Sequence, residues 1–168
     1  RGLVYLWLAQ NVFLVLSAAR RLALYVGFFG LSRWRVAAGI WMLLVAFGLG
    51  YICLRILLNR NNLWLTNVNV ITAVMILYGC CFVNFDGIIA WHNVRNCHEL
   101  QGRGASLDVG YLRRLGPESL PALRWVAPRL NAGSRQKTET AIRELEEDLA
   151  DSIRNWRGWT WRRLRLSR

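Results

Sequence analysis

Residues 36–54 read VAAGIWMLLVAFGLGYICL, nineteen positions without a charge, held between Arg35 and Arg55. A helix rises about 1.5 Å per residue, so about twenty apolar residues cross a ~30 Å hydrocarbon core. In lipid the backbone must satisfy its own hydrogen bonds, and a lone segment does so only as a helix. The stretch predicts a transmembrane helix over about 36–57, and with it an all-α transmembrane bundle.

Two further runs extend this reading. Residues 3–19, LVYLWLAQNVFLVLSAA, are seventeen uncharged positions, at the short end of the spanning range. A signal peptide carries its positive charges ahead of its apolar stretch, whereas here Arg20 and Arg21 follow it. The run is expected to be a span inside a longer protein, with more transmembrane helices upstream of it. The third span is expected over about 63–91. Trp64 and Trp91 stand 27 residues apart, roughly 40 Å on a continuous helix, which suits the two aromatic belts of a bilayer.

Charge divides the chain. Residues 1–94 hold seven Lys/Arg and a single acid, Asp86, while residues 95–168 hold fifteen and nine. Each part carries +6 of the net +12, yet the first is nearly all apolar and the second densely charged. A transmembrane region over 1–94 and a cytoplasmic helical region over 95–168 follow. Orientation rests on arginine. Four (Arg20, Arg21, Arg33, Arg35) separate the first two spans, two (Arg55, Arg60) the next pair, and four (Arg95, Arg103, Arg113, Arg114) follow the third. The positive-inside rule then places the first and last of these segments, and the carboxy-terminus, on the cytoplasmic side of a plasma (inner) membrane.

Polar residues within the spans are the candidate sites. Gln10 and Asn11 lie mid-span on the first helix and read as inter-helix hydrogen-bonding glue ahead of a substrate contact. Gly39, Leu43, Ala46 and Gly50 share one face of the second, where small residues let backbones approach. Asp86, Asn93 and Asn96 share a face of the third, at spacings of seven and three. An ionisable residue in a span is a functional candidate. For Asp86, pairing with Arg20 or Arg21 is favoured over a proton or ion relay.

Several short motifs carry a resemblance. Arg20-Arg21-Leu22-x-Leu24-Tyr25 and Gly30-Leu31-Ser32-x-Trp34-Arg35 are joined by Asn84-x-Asp86 and Asn93. Leu107-Asp108-x-x-Tyr111-Leu112, Leu115-x-x-Glu118-x-x-Pro121-Ala122-Leu123 and Trp156-Arg157-x-Trp159 continue the series. Together they resemble a family of bacterial polytopic membrane proteins known as domain of unknown function 4153, with its 4173 sibling. His92 stands where that family has an aromatic residue. The resemblance implies the carboxy-terminal portion of a longer inner-membrane protein, with Arg20, Arg21, Asp86, Asn93, Asp108 and Tyr111 as its marked polar positions. It implies no reaction, ligand or catalytic residue.

Beyond residue 95 the sequence predicts a small helical appendage. A short helix over 108–115 presents Leu107, Tyr111, Leu112 and Leu115. Ser119 is the expected N-cap of a helix that Pro121 opens and Pro128 ends. After a break at 131–134, Ile142, Leu145, Leu149, Ile153 and Trp156 repeat at helical spacing, predicting an amphipathic helix over about 138–156, with a Glu139–Arg143 pair on its surface. The last fifteen residues hold six arginines and three tryptophans. Such a tail suits an anionic inner leaflet, with indole at headgroup depth, and is expected there rather than on nucleic acid.

Catalytic signatures are absent from the sequence: it has no Gly-x-Ser-x-Gly, Walker loop, His-Glu-x-x-His or Cys-x-x-Cys. His92, Cys97, His98 and Glu99 cluster without a usual zinc spacing. No cofactor or metal is expected. The favoured function is a non-enzymatic scaffold, sensor or assembly component, with a possible protein partner at the appendage. The alternative is a transporter or permease with a polar path through Gln10, Asn11 and Asp86.

Overall fold

The computed structural model of the chain describes residues 2–102 and 104–154, and these are all-helical apart from turns. The basic Trp/Arg tail from residue 155 onward, Trp156 of the expected amphipathic stripe, and Arg103 lie outside the described residues. Helices α1 (Gly2–Phe29), α2 (Arg33–Leu58) and α3 (Asn62–Phe82) are each long and apolar enough to cross a membrane. Shorter helices follow: α4 (Phe85–Arg95), α5 (His98–Gln101), α6 (Val109–Arg114), α7 (Leu120–Val126) and the longer α8 (Ala132–Arg154). Pro117–Ser119 and Ala127–Arg129 are single 3₁₀ turns on either side of α7. Two compact units result, one of Arg1–Val26 with Trp34–Val83, the other of Gly27–Arg33 with Asn84–Arg168.

The first unit has the surface of a membrane protein. Among its described residues only Leu8 and Leu49 are buried, while Phe13, Trp41, Leu63 and Met75 are each more than 60% exposed. Water would penalise such a surface by roughly 25 cal/mol per Å² of apolar area, and hydrocarbon would not. Tyr51 Oη and Thr72 Oγ1 share a hydrogen bond of 2.9 Å between α2 and α3. The small-residue face expected on α2 is only partly used: Gly39 faces Leu22 of α1, but a methyl on Gly50 would touch nothing. Gly48, off that face, instead packs near Asn69 of α3.

The third span is shorter than the 63–91 expected, which is a correction to that reading. α3 ends at Phe82, Val83 and Asn84 leave helical geometry, and the Asn84 carboxamide accepts the Gly87 amide at 3.0 Å to open α4. Apolar composition continues across the break, so hydropathy does not register it. The N-capping asparagine does, because its side chain competes for amides the helix would otherwise use. The 21 residues of α3 rise about 32 Å, enough to cross the hydrocarbon core without Trp91.

The second unit has a conventional core. Ile89, Ala90 and Val94 of α4 meet Leu120, Leu123 and Val126 of α7, and all six are fully buried. Leu112 of α6 and Leu145 of α8 close the other side. α8 begins at Ala132 rather than 138, because the Asn131 carbonyl already accepts the Arg135 amide at 2.8 Å. Its buried stripe is Thr138, Ala141, Leu145 and Leu149, with Ile142 half-buried at its edge. Thr138 is tolerated in the core because its hydroxyl donates to the Ser134 carbonyl at 2.8 Å. Glu139 pairs with Arg135, one turn before it, at 2.7 Å, and not with the expected Arg143 one turn after it. Ser119 does not cap α7 with its side chain; its buried hydroxyl donates instead to the Gly116 carbonyl.

Candidate functional site

The turn from α1 to α2 is the natural place for partnerless backbone. Gly30 has a left-handed φ of +73°, so the chain leaves α1 sharply, and Leu31 and Ser32 follow outside any helix. Helix ends leave amides and carbonyls without internal partners, and each needs one. Here α4 supplies them. Asn93 Nδ2 donates to the Leu31 carbonyl at 2.8 Å, and Asn93 Oδ1 accepts the Leu31 amide at 2.5 Å.

Two helical turns earlier on α4, and so on the same face, Asp86 Oδ1 accepts Arg33 Nε at 2.6 Å. The Arg33 amide in turn donates to Tyr111 Oη at 3.2 Å. Tyr111 is set by Asp108, the N-cap of α6, whose Oδ1 accepts the Tyr111 amide at 2.8 Å. Asp86, Asn93 and Tyr111 are thus brought to one segment, Leu31–Arg33, with Asp108 acting behind Tyr111, all within the second unit. The side chain of Asp86 is 29% exposed and that of Arg33 56%, so water screens the pair in part. A carboxylate in the first turn of α4 also meets the positive end of that helix.

Three expectations fall outside this cluster. The cation that meets Asp86 is Arg33, a correction to the pairing expected with Arg20 or Arg21, both of which lie exposed on α1 in the other unit. Asn96 donates to the His92 carbonyl of its own helix at 2.8 Å, as the C-cap of α4. Asn11 donates to the Trp7 carbonyl of its own helix at 2.8 Å rather than to a neighbouring one. Arg33 was legible in the sequence only as one of four cations between two spans. Nothing in its spacing pointed to a residue 53 positions later.

The His92–Glu99 stretch is put to structural use. Both carboxylate oxygens of Glu99 accept the Leu107 amide at 3.0 Å, and the His98 amide donates to the Ala105 carbonyl at 2.9 Å. Cys97 is buried, and that burial, with Glu99 as a lesser contribution, pushes its thiol up and keeps it protonated at neutral pH. The thiolate is the reactive and metal-binding form. Among the described residues no group of three or more His, Cys, Asp or Glu is placed to share a metal ion.

The first unit holds an open cavity of about 520 Å³ lined by Tyr5, Arg55, Asn59 and Arg60 among others. Its lining gave no motif in the sequence.

A family model described as Domain of unknown function (DUF4153) matches residues 1–125. No curated protein and no solved structure matches the chain.

Proposed function

The chain belongs to the DUF4153 family and carries three helices able to cross a membrane, and from that premise we propose that it is a non-enzymatic membrane component. In this reading it is a scaffold, sensor or assembly partner of the bacterial inner membrane, and its carboxy-terminal helical unit is a cytoplasmic docking module. One observation carries the reading. Three of the marked polar residues are engaged in holding the α1–α2 turn: Asp86 on Arg33, Asn93 on Leu31, and Tyr111 on the Arg33 amide. Catalysis or ion relay needs a group whose proton or lone pair is available to a substrate. Asp86 Oδ1, Asn93 and Tyr111 Oη are instead directed at that turn, which supports a clasp over a relay. The arginine asymmetry supports the cytoplasmic side, and the composition of residues 154–168 supports contact between the tail and anionic lipid.

Proteoliposomes of the full chain, loaded with a pH-sensitive dye and given an imposed ion gradient, test it. The reading expects no proton flux that depends on Asp86, and a folded Asp86→Asn protein indistinguishable from the parent. A flux present in the parent and lost in a folded Asp86→Asn protein would replace the scaffold with a proton-coupled transporter.

A further inference from the structure

The second unit contains the same spacing twice: Trp91 with Arg95 on α4, and Trp125 on α7 with Arg129 in the turn after it. A separation of four sets each guanidinium beside the indole one helical turn back. The Arg95 guanidinium carbon lies 5.0 Å from the Trp91 ring centre, and that of Arg129 4.1 Å from Trp125. Packing of α4 on α7 then brings the two indoles to 5.7 Å, with their planes inclined by 56°. The result is a continuous ladder, Arg95–Trp91–Trp125–Arg129, across two helices.

Among the described residues its two cations lack a carboxylate, as Arg114 and Arg143 of the same unit also do, and are set apart by the indoles they meet. Arg33, Arg113, Arg124 and Arg135 each meet a carboxylate. Among the described residues Arg95 and Arg129 meet none, and both are exposed beside half-buried indoles. A guanidinium held over a ring by its charge keeps N–H groups that can grip phosphate. Arg129 directs one of these to the Trp125 carbonyl, which fixes its orientation further. Ring face is taken up by the ladder's own cations and by the other indole, so it offers N–H forks more than a platform for bases. Trp91 stands only nine residues after the end of the membrane-spanning α3, and indole with arginine is the pairing found at headgroup level.

We propose that this ladder is a membrane-surface anchor, seating the phosphates of anionic phospholipids against the second unit. It is independent of the scaffold reading, since a transporter could carry the same anchor. The test uses the full chain in detergent, titrated with phosphatidylglycerol or phosphatidylcholine and followed by native mass spectrometry. Arg95→Gln and Arg129→Gln should each weaken phosphatidylglycerol binding about fivefold and leave phosphatidylcholine binding unchanged. Arg114→Gln, which removes an exposed cation elsewhere in the unit, should match the parent. Hydrogen exchange on the unmodified chain gives a second readout: nanodiscs containing phosphatidylglycerol should protect residues 91–95 and 125–129 relative to zwitterionic ones. The proposal is overturned by equal losses in all three variants, by no difference in protection, by displacement of the lipid with inorganic phosphate, or by tighter binding of a short RNA.

Discussion

Asn93 grips Leu31, 62 positions earlier, with both ends of its carboxamide, donating to the carbonyl at 2.8 Å and accepting from the amide at 2.5 Å. An amide side chain here supplies both the donor and the acceptor that Leu31, outside either helix, would otherwise lack. Because asparagine alone of the small residues offers a donor and an acceptor at this reach, the position tolerates little.

Asn93→Asp keeps the acceptor but sets a carboxylate oxygen against the Leu31 carbonyl. It should lower stability by about 1–3 kcal/mol, the cost of a part-buried group left unmatched, and Asn93→Ala should fall in the same range. Thermal unfolding of the detergent-solubilised chain measures both. A melting temperature unchanged in Asn93→Asp would mean that the pairing contributes nothing to the fold.

Gly30 and Gly104 should be intolerant of alanine and Gly27 indifferent. Gly30 has φ +73°, and a methyl there would come within 2.9 Å of Asn93 Oδ1; Gly104 has φ +89°, and its methyl would meet the Asn96 carbonyl oxygen at 2.6 Å. The left-handed conformation alone costs roughly 1–2 kcal/mol for a residue with a Cβ. Gly104→Ala should be worse than Gly30→Ala, since a backbone oxygen yields less readily than a side chain. At Gly27 a methyl meets nothing within 4 Å. Parallel melts of the three variants rank them, and equal stability of all three would contradict the turn geometry.

The Arg33–Asp86 pair should show a coupling of about 1 kcal/mol or less in a double-mutant cycle, because half of Arg33 is in water. Asp86→Asn retains the oxygen that accepts Arg33 Nε and should be nearly neutral. Asp86→Ala should cost more, and its cost should shrink when Arg33 is already Gln. Additive single and double changes would show that the two side chains do not act together.

The arginine distribution predicts that residues 20–35 and everything after Asn93 face the cytoplasm. In a background without native cysteines, a cysteine at Asn61 should react with an impermeant thiol reagent applied to intact cells. One at Ser106 should react only after lysis. The opposite pattern would invert the topology and remove the cytoplasmic docking reading.

Much of the local organisation is legible in the sequence. The three spanning helices follow from uncharged runs around Trp7, Trp41 and Met75, since hydrocarbon admits few alternatives. Leu112, Leu115, Leu145 and Leu149 were recognisable as the appendage core from helical periodicity. The end of α3 was not, because Val83 and Asn84 interrupt geometry without interrupting composition. The onset of α8 was also missed: Gly133 reads as a breaker, yet the first turn of a helix tolerates it when the Asn131 carbonyl supplies the bond. At the candidate site Asp86, Asn93, Asp108 and Tyr111 stood out individually, while the Leu31–Arg33 segment that three of them reach did not.

Sequence by itself determined the class of this protein, a membrane-spanning helical chain with a charged helical extension, because burial in lipid is decided by local composition over about twenty residues. Only the tertiary structure decided what the marked polar residues do. Arg33 and Asp86 are 53 positions apart, and Leu31 and Asn93 are 62 apart. Neither periodicity nor charge counts carry information over that separation. The pairing depends on α4 packing against the turn of Gly27–Arg33, and backbone groups such as the Leu31 amide leave no trace in a list of side chains.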